Sequence, residues 1–402
     1  MMKRYFAALA LCLLALLCLA SCGEGDTVTL NVYNWGEYIS DGSEDTLDVN
    51  AAFEQYYFDT YGVRVKVNYT TYASNEDMYA KIKSGATSYD VIIPSDYMIQ
   101  RMIREELLVP LNFDNIPNAV YIAEEFHSPY YDPDNAYSVP YTCGMVGIIY
   151  NTGMVDEADT GSWDLMWNEK YSGKILQFNN SRDAFGTAMY FNKIDVNTTD
   201  RAEWEMALDY LKIQKPLVQG YVMDEVFNKM KGESAAIAPY YAGDYLTMYD
   251  SNDALSFYYP EEGTNIFVDA MCIPKDTRNK AIAEAYINFM LSEDIAVANA
   301  EYIGYASPNM LVRENEEYIA YMADWHEDYA EILYPDLSSL TTIYYHALDV
   351  ETQAMANELW EQLKIESSVG SNIHTIALVI AVLAAAFLLW RFILKKYRAS
   401  HY

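Results

Sequence analysis

The chain has 402 residues, 52% of them hydrophobic, and a formal charge of −32 from 58 acidic against 26 basic side chains. That balance repels nucleic acid and draws small cations inward, although an acidic surface also serves solubility alone. The sequence holds no G-x-S-x-G, no H-E-x-x-H, no P-loop and no dinucleotide fingerprint, so no enzyme class and no cofactor is indicated.

The first segment is a leader, not fold. Lys3 and Arg4 precede an apolar run from Tyr5 to Leu17, and Leu19-Ala20-Ser21-Cys22 follows. These last residues resemble a bacterial lipoprotein box, which implies that 1–22 is a signal ending at a lipidated Cys22. After Cys22 only Cys143 and Cys272 remain, each in an apolar strand-like run, and no C-x-x-C pair exists. Two buried free thiols is the expected state.

The globular part runs from about Val28 to Lys364, enough for two domains. Val28, Leu30 and Val32 alternate as a strand that stops at Asn34-Trp35-Gly36, a turn sequence. Trp35, Glu37 and Tyr38 then lie just past a strand's carboxyl end, where open α/β sheets bind ligands. Two rings and a carboxylate suit an organic cation. Asp45 to Tyr61 has helical spacing and ends at Gly62; Val63, Val65 and Val67 read as a second strand. Ser74 to Asp77 has capping-box spacing before a helix from Glu76 to Lys83. Tyr89 to Pro94 is a third strand, followed by Ser95-Asp96-Tyr97. Strand–helix–strand order with short turns predicts a mostly parallel sheet.

Tyr33-Asn34-Trp35-Gly36-Glu37-Tyr38 resembles the first ligand loop of the spermidine/putrescine-binding proteins of bacterial ABC importers. The resemblance continues at Thr71 to Lys81, Pro94 to Tyr97, Tyr137 to Tyr141, Ser162 to Leu165, Tyr171 to Lys174, Val268 to Pro274 and Ile303 to Asn309. It implies an α/β, two-lobed type II periplasmic-binding-protein fold with two crossing hinge strands, near Val139–Ile148 and Phe267–Ile273. Lobe 1 would hold 28–143 and 268–313; lobe 2 would hold 144–267 and 314–366. The implied function is capture of putrescine or spermidine for an ABC permease, without enzymatic activity. On that arrangement Cys143 and Cys272 sit on adjacent hinge strands, which raises a disulfide without favouring it.

Ligand positions carry over one at a time. Trp35 and Tyr38 match aromatic walls with Glu37 beside them. Ser95 and Tyr97 match the second turn, Asp269 the carboxylate that takes a primary amine, and Tyr305 a nearby ring. Asn180 replaces one of two carboxylates of spermidine binders, and Asp183 is a shorter version of the other. Tyr241 and Phe267 stand where Trp is usual, Asp244 stands where putrescine-type members have Asp, and His346 falls near a usual Gln. The lost charge at Asn180 and the gained one at Asp244 tilt the reading toward putrescine, with spermidine close behind. Asp183 also suits a helix cap, and with 38 tyrosines in the chain any single one is ordinarily packing. A rival is ferric-ion capture, since adjacent Tyr240-Tyr241 resembles the tyrosine pair of ferric-ion-binding proteins. A third reading is a polyamine sensor or scaffold without transport.

Beyond the polar linker 367–372, residues 373–394 are apolar enough to cross a bilayer of about 30 Å at about 1.5 Å per residue. Arg391, Lys395, Lys396 and Arg398 cluster at the far end, so the tail 395–402 is expected in the cytoplasm and the binding lobes outside.

Overall fold

The computed structural model describes residues 27–365. Cys22, the linker 367–372, the span 373–394 and the tail 395–402 lie outside the described residues. Among the described residues no helix is long and apolar enough to cross a membrane.

β1 (Val28–Trp35) opens the fold and buries Leu30 and Val32 completely, as their alternation requires. The helix Val49–Tyr61 begins later than its periodicity suggests because Asp48 takes the N-cap, its side chain accepting from the Ala51 amide. Gly62 ends it in the left-handed region at φ 69°. β2 (Val65–Tyr72) pairs parallel with β1 from Val28↔Val65 to Trp35↔Tyr72. Val63 stays outside the strand and exposed, and the strand runs on to Tyr72. Ser74 caps the helix Asn75–Ser84 by accepting from the Asp77 amide, and Gly85 closes it. β3 (Val91–Ile92), parallel to β1, is shorter than the apolar run that encodes it. The turn at Pro94 and Ser95 follows at once.

The remaining strands are β4 (Ser138–Asn151), β5 (Ile175–Phe178), β6 (Val218–Val222), β7 (Ile237–Tyr241), β8 (Leu255–Tyr258), β9 (Thr264–Cys272) and β10 (Thr342–Ile343). Their order is β2-β1-β3-β9-β4-β7-β5-β6, with β8 on β4 and β10 on β9. β1 pairs parallel with β2 and β3, and β5 with β6 and β7. β4 and β9 run antiparallel between the two parallel halves, from Ser138↔Cys272 to Met145↔Ile266. These are the crossing strands that the sequence places near Val139 and Phe267. Register sets Cys143 opposite Val268 and Cys272 opposite Ser138, so the strands are neighbours while the thiols are not. Both cysteines are free.

This layout fixes the place of the site. β1, β5, β6 and β7 all end at one cleft, where Trp35, Asn180, Met223 and Tyr241 line the wall. Carboxyl ends of parallel strands are the ligand-binding edge of such sheets.

Candidate functional site

The cleft is built around Asp269, in the middle of β9 and 4% exposed. Tyr38 Oη donates to Asp269 Oδ2 at 2.7 Å and lies 2.6 Å from Thr142 Oγ1. Thr142 stands opposite Asp269 because β4 shifts register between Pro140 and Thr142, a bulge that re-aims the strand. Asp269 Oδ1 has no partner. Burial pushes the carboxyl up to about 6, with Ser95 and Tyr38 opposing the rise and Asp183 adding to it. A buried acceptor without a partner costs about 1–3 kcal/mol, so this oxygen calls for a donor from the guest.

The first turn places Tyr38. Asn34, fully buried, accepts the Trp35 amide at 2.8 Å on Oδ1 and donates from Nδ2 to the Tyr38 carbonyl at 3.2 Å. Glu37 takes the left-handed region at φ 50°. Trp35 is half-buried and its Nε1 has no partner.

Two further carboxylates face the cleft from the other half. Asp183 Oδ2 accepts from Tyr241 Oη and from Asn180 Nδ2, each at 2.7 Å. Asn180 is the N-cap of the helix Ser181–Phe191, its Oδ1 accepting the Asp183 amide at 2.8 Å. The cap sequence therefore aims the carboxylate as well as starting the helix. Burial raises Asp183 above the usual carboxylate range. Asp244 Oδ2 accepts from Tyr305 Oη at 2.8 Å, and burial together with Asp224 and Glu37 pushes it up to about 8. A fourth acid, Glu76, is also raised by burial and accepts from Tyr97 Oη at 3.1 Å.

Rings close the walls edge to face. Tyr38 and Tyr305 lie 5.2 Å apart at 81°, and Tyr241 and Phe267 lie 5.4 Å apart at 77°. The empty space, mouth included, is about 810 Å³. Among the described residues no group of three or more His, Cys, Asp or Glu is gathered as for a metal ion.

Trp35, Glu37, Tyr38, Ser95, Tyr97, Asn180, Asp183, Tyr241, Asp244, Phe267, Asp269 and Tyr305 all line this one cleft. Trp35 and Asp269 thus share a cavity. His346 does not: it is exposed, its amide donates to Asn197 Oδ1 at 2.7 Å, and its ring lies 4.6 Å from that of Tyr130. The segment around it is not helical, and the inward residue is its neighbour Tyr345, 4% exposed and on the cleft wall. Tyr345, Glu76, Asp224 and Asn265 line the cleft as well, beyond the residues that the sequence singles out. Glu76 carried a signal as the residue after Ser74 and Asn75 at a helix start; the others carried none.

Two parallel α/β halves, joined by two crossing strands around one cleft, define a type II solute-binding fold. Residues 86–331 match the family described as bacterial extracellular solute-binding protein, and the chain belongs to it. The spermidine/putrescine-binding periplasmic protein of Escherichia coli K12 is 31% identical over 290 residues, 72% of this chain and 80% of that one. A solved chain from Listeria monocytogenes, assigned to a spermidine/putrescine ABC transporter, aligns with a TM-score of 0.75 and 33% identity. The spermidine/putrescine ABC transporter substrate-binding protein PotD of Streptococcus pneumoniae aligns with a TM-score of 0.66 and 34% identity. Each alignment covers 84% of this chain and 99% of the other. These relatives are solute-binding proteins of transporters, not enzymes.

Proposed function

We propose that this chain is the substrate receptor of an ABC-type polyamine importer and takes a short aliphatic di- or triamine, putrescine or spermidine, into the cleft. One observation carries the reading: a buried carboxylate, Asp269, with one oxygen lacking a close partner, in the wall of a cavity lined by aromatic rings. An ammonium supplies the missing donors, and the rings cover its methylenes and attract its charge. Charge-assisted hydrogen bonds of about 1.5–3 kcal/mol and cation–π contacts of up to about 2 kcal/mol, less ordering costs, support binding near −8 kcal/mol, or about micromolar.

Trp35, Tyr38, Tyr97, Tyr241, Phe267 and Tyr305 would form the walls. Glu37, Asp183, Asp244 and Asp269 would take the amines, with Ser95 and Asn180 holding them in place. The lobes that close would be 28–143 with 268–313, and 144–267 with 314–366, by hinge motion. From the sequence we add that lipid on Cys22 and a span at 373–394 hold the receptor beside its permease. Carbonate extraction of membranes from cells expressing Cys22→Ala and a chain truncated after Ser367 tests that: each alone should stay in the pellet, and both together should be released.

Calorimetry of the purified protein with putrescine, spermidine, spermine and ferric citrate tests the ligand. Micromolar heats from at least one polyamine are expected. Heats from ferric citrate alone would replace this reading with the metal-capture one.

A further inference from the structure

Residues 344–349 follow β10 and are neither helix nor strand. Backbone polar groups in such a segment need partners from elsewhere, and here both halves of the molecule supply them. Asn197, beyond the helix Ser181–Phe191 of the second half, holds one side. Its Nδ2 donates to the Tyr344 carbonyl at 2.9 Å, and its Oδ1 accepts the His346 amide at 2.7 Å. The first half holds the other side. Gln100, on the helix Asp96–Arg104 after β3, accepts the Ala347 amide on Oε1 at 2.8 Å. Tyr130, in the stretch before β4, donates from Oη to the Tyr345 carbonyl at 2.6 Å. The segment is a strap whose successive groups are bonded to opposite halves.

Tyr130 makes the fullest of these contacts. Its ring also packs on those of Tyr344 and His346, at 5.3 Å and 4.6 Å between centroids. Between those two residues Tyr345 turns inward, 4% exposed, into the cleft wall. The Arg182 guanidinium lies 4.5 Å from the Tyr345 ring, and Tyr97 meets that ring edge to face at 6.2 Å and 79°. Gly186, buried in the helix Ser181–Phe191, leaves room for it, since a Cβ there would overlap Tyr345 Oη. Tyr345 thus has one fitted place, and the strap decides whether it reaches that place.

We propose that Tyr130 is a positioning residue for the cleft: its hydroxyl and ring seat the strap so that Tyr345 completes the wall around a bound amine. This rests on the polyamine reading above. It also gives His346 a use, as a ring for Tyr130 to pack against and not as a ligand group.

A double-mutant cycle on the full-length protein tests the role, with putrescine and spermidine as probes and stopped-flow release as the readout. Tyr130→Phe keeps the ring and removes the hydroxyl. It should release a bound probe at least about threefold faster, within the range of one hydrogen bond. In a Tyr345→Ala background the same change should alter release by less than about 1.5-fold, because no ring is left to seat. A merely structural hydroxyl would act alike in both backgrounds. Equal acceleration in the two, or none with Tyr345 present, overturns the proposal. Hydrogen exchange of the ligand-free protein tests the seating itself. The peptide covering 344–348 should exchange at least about threefold faster in Tyr130→Phe than in wild type, and unchanged exchange overturns the proposal. Wild type that binds neither probe would refute the ligand reading, whereas the exchange comparison judges the strap by itself.

Discussion

Asp269 and Asp244 illustrate what binding a cation demands of a residue before the cation arrives. Asp269 is buried and Asp244 half-buried, and desolvation pushes both carboxyls up, to about 6 and about 8. In the empty cleft at neutral pH Asp244 is mostly protonated, and an incoming ammonium must displace that proton. Affinity for a polyamine should therefore rise between pH 6 and pH 8 and level off above, with net proton release visible as a dependence of calorimetric heats on buffer ionisation enthalpy. An affinity flat across that window would remove these acids from the site. Replacing Asp269 with Asn keeps an acceptor for Tyr38 but removes the charge; the expected loss is at least tenfold, about 1.4 kcal/mol. The same burial has a cost in stability. The folded-state pKa of Asp244 lies above its unfolded value, so its contribution is complete below the unfolded pKa and is lost as pH rises through about 8. Ligand-free Asp244→Asn should then melt at least about 2 °C above wild type at pH 9 and show no gain near pH 4 in a thermal scan.

The helix that starts at Asn180 joins folding to binding in one short stretch. Asn180 caps it, and the amide of the same side chain steadies the Asp183 carboxylate. Asn180→Ala should cost about 1 kcal/mol of stability, the usual value of a cap, and should also weaken ligand binding. Denaturant melts with and without putrescine separate the two effects, and a variant that lost stability yet bound normally would show that Asp183 needs no such support. Elements of this kind were legible early, because caps, glycine stops and alternation are local. β1, the helix after Ser74 and the crossing strands all fall where their residues put them. Boundaries moved where a side chain had another use: Asp48 preferred capping to continuing a helix, and Val63 had no neighbour strand to join. The cleft residues that escaped notice are those defined only by what stands across from them. Asp224 lines the cleft from the turn after β6, and Tyr345 does so because its segment turns it inward in place of His346. No periodicity encodes either fact, and among 38 tyrosines one more ring attracts no notice.

The whole molecule adds a long-range field to these local arrangements. A formal charge of −32 surrounds a cleft whose own acids number at least four, from Glu37 to Asp269. Clefts lined by one sign of charge focus the potential and speed the arrival of oppositely charged solutes, by about tenfold or more, and added salt screens the effect. Acidic surface spread for solubility alone would act on a diamine only weakly, because distant charges fade beyond about 10 Å at 0.1 M salt. The two cases differ in rate rather than in affinity. Stopped-flow mixing with putrescine, read by the fluorescence of Trp35 against a Trp35→Phe control, should show an association rate that falls at least about fivefold between 10 mM and 150 mM salt. The dissociation rate should change much less, since the bound amine is shielded among rings and buried acids. A rate indifferent to salt would mean that the negative charge of this chain serves its solubility, and that capture depends on the cleft alone.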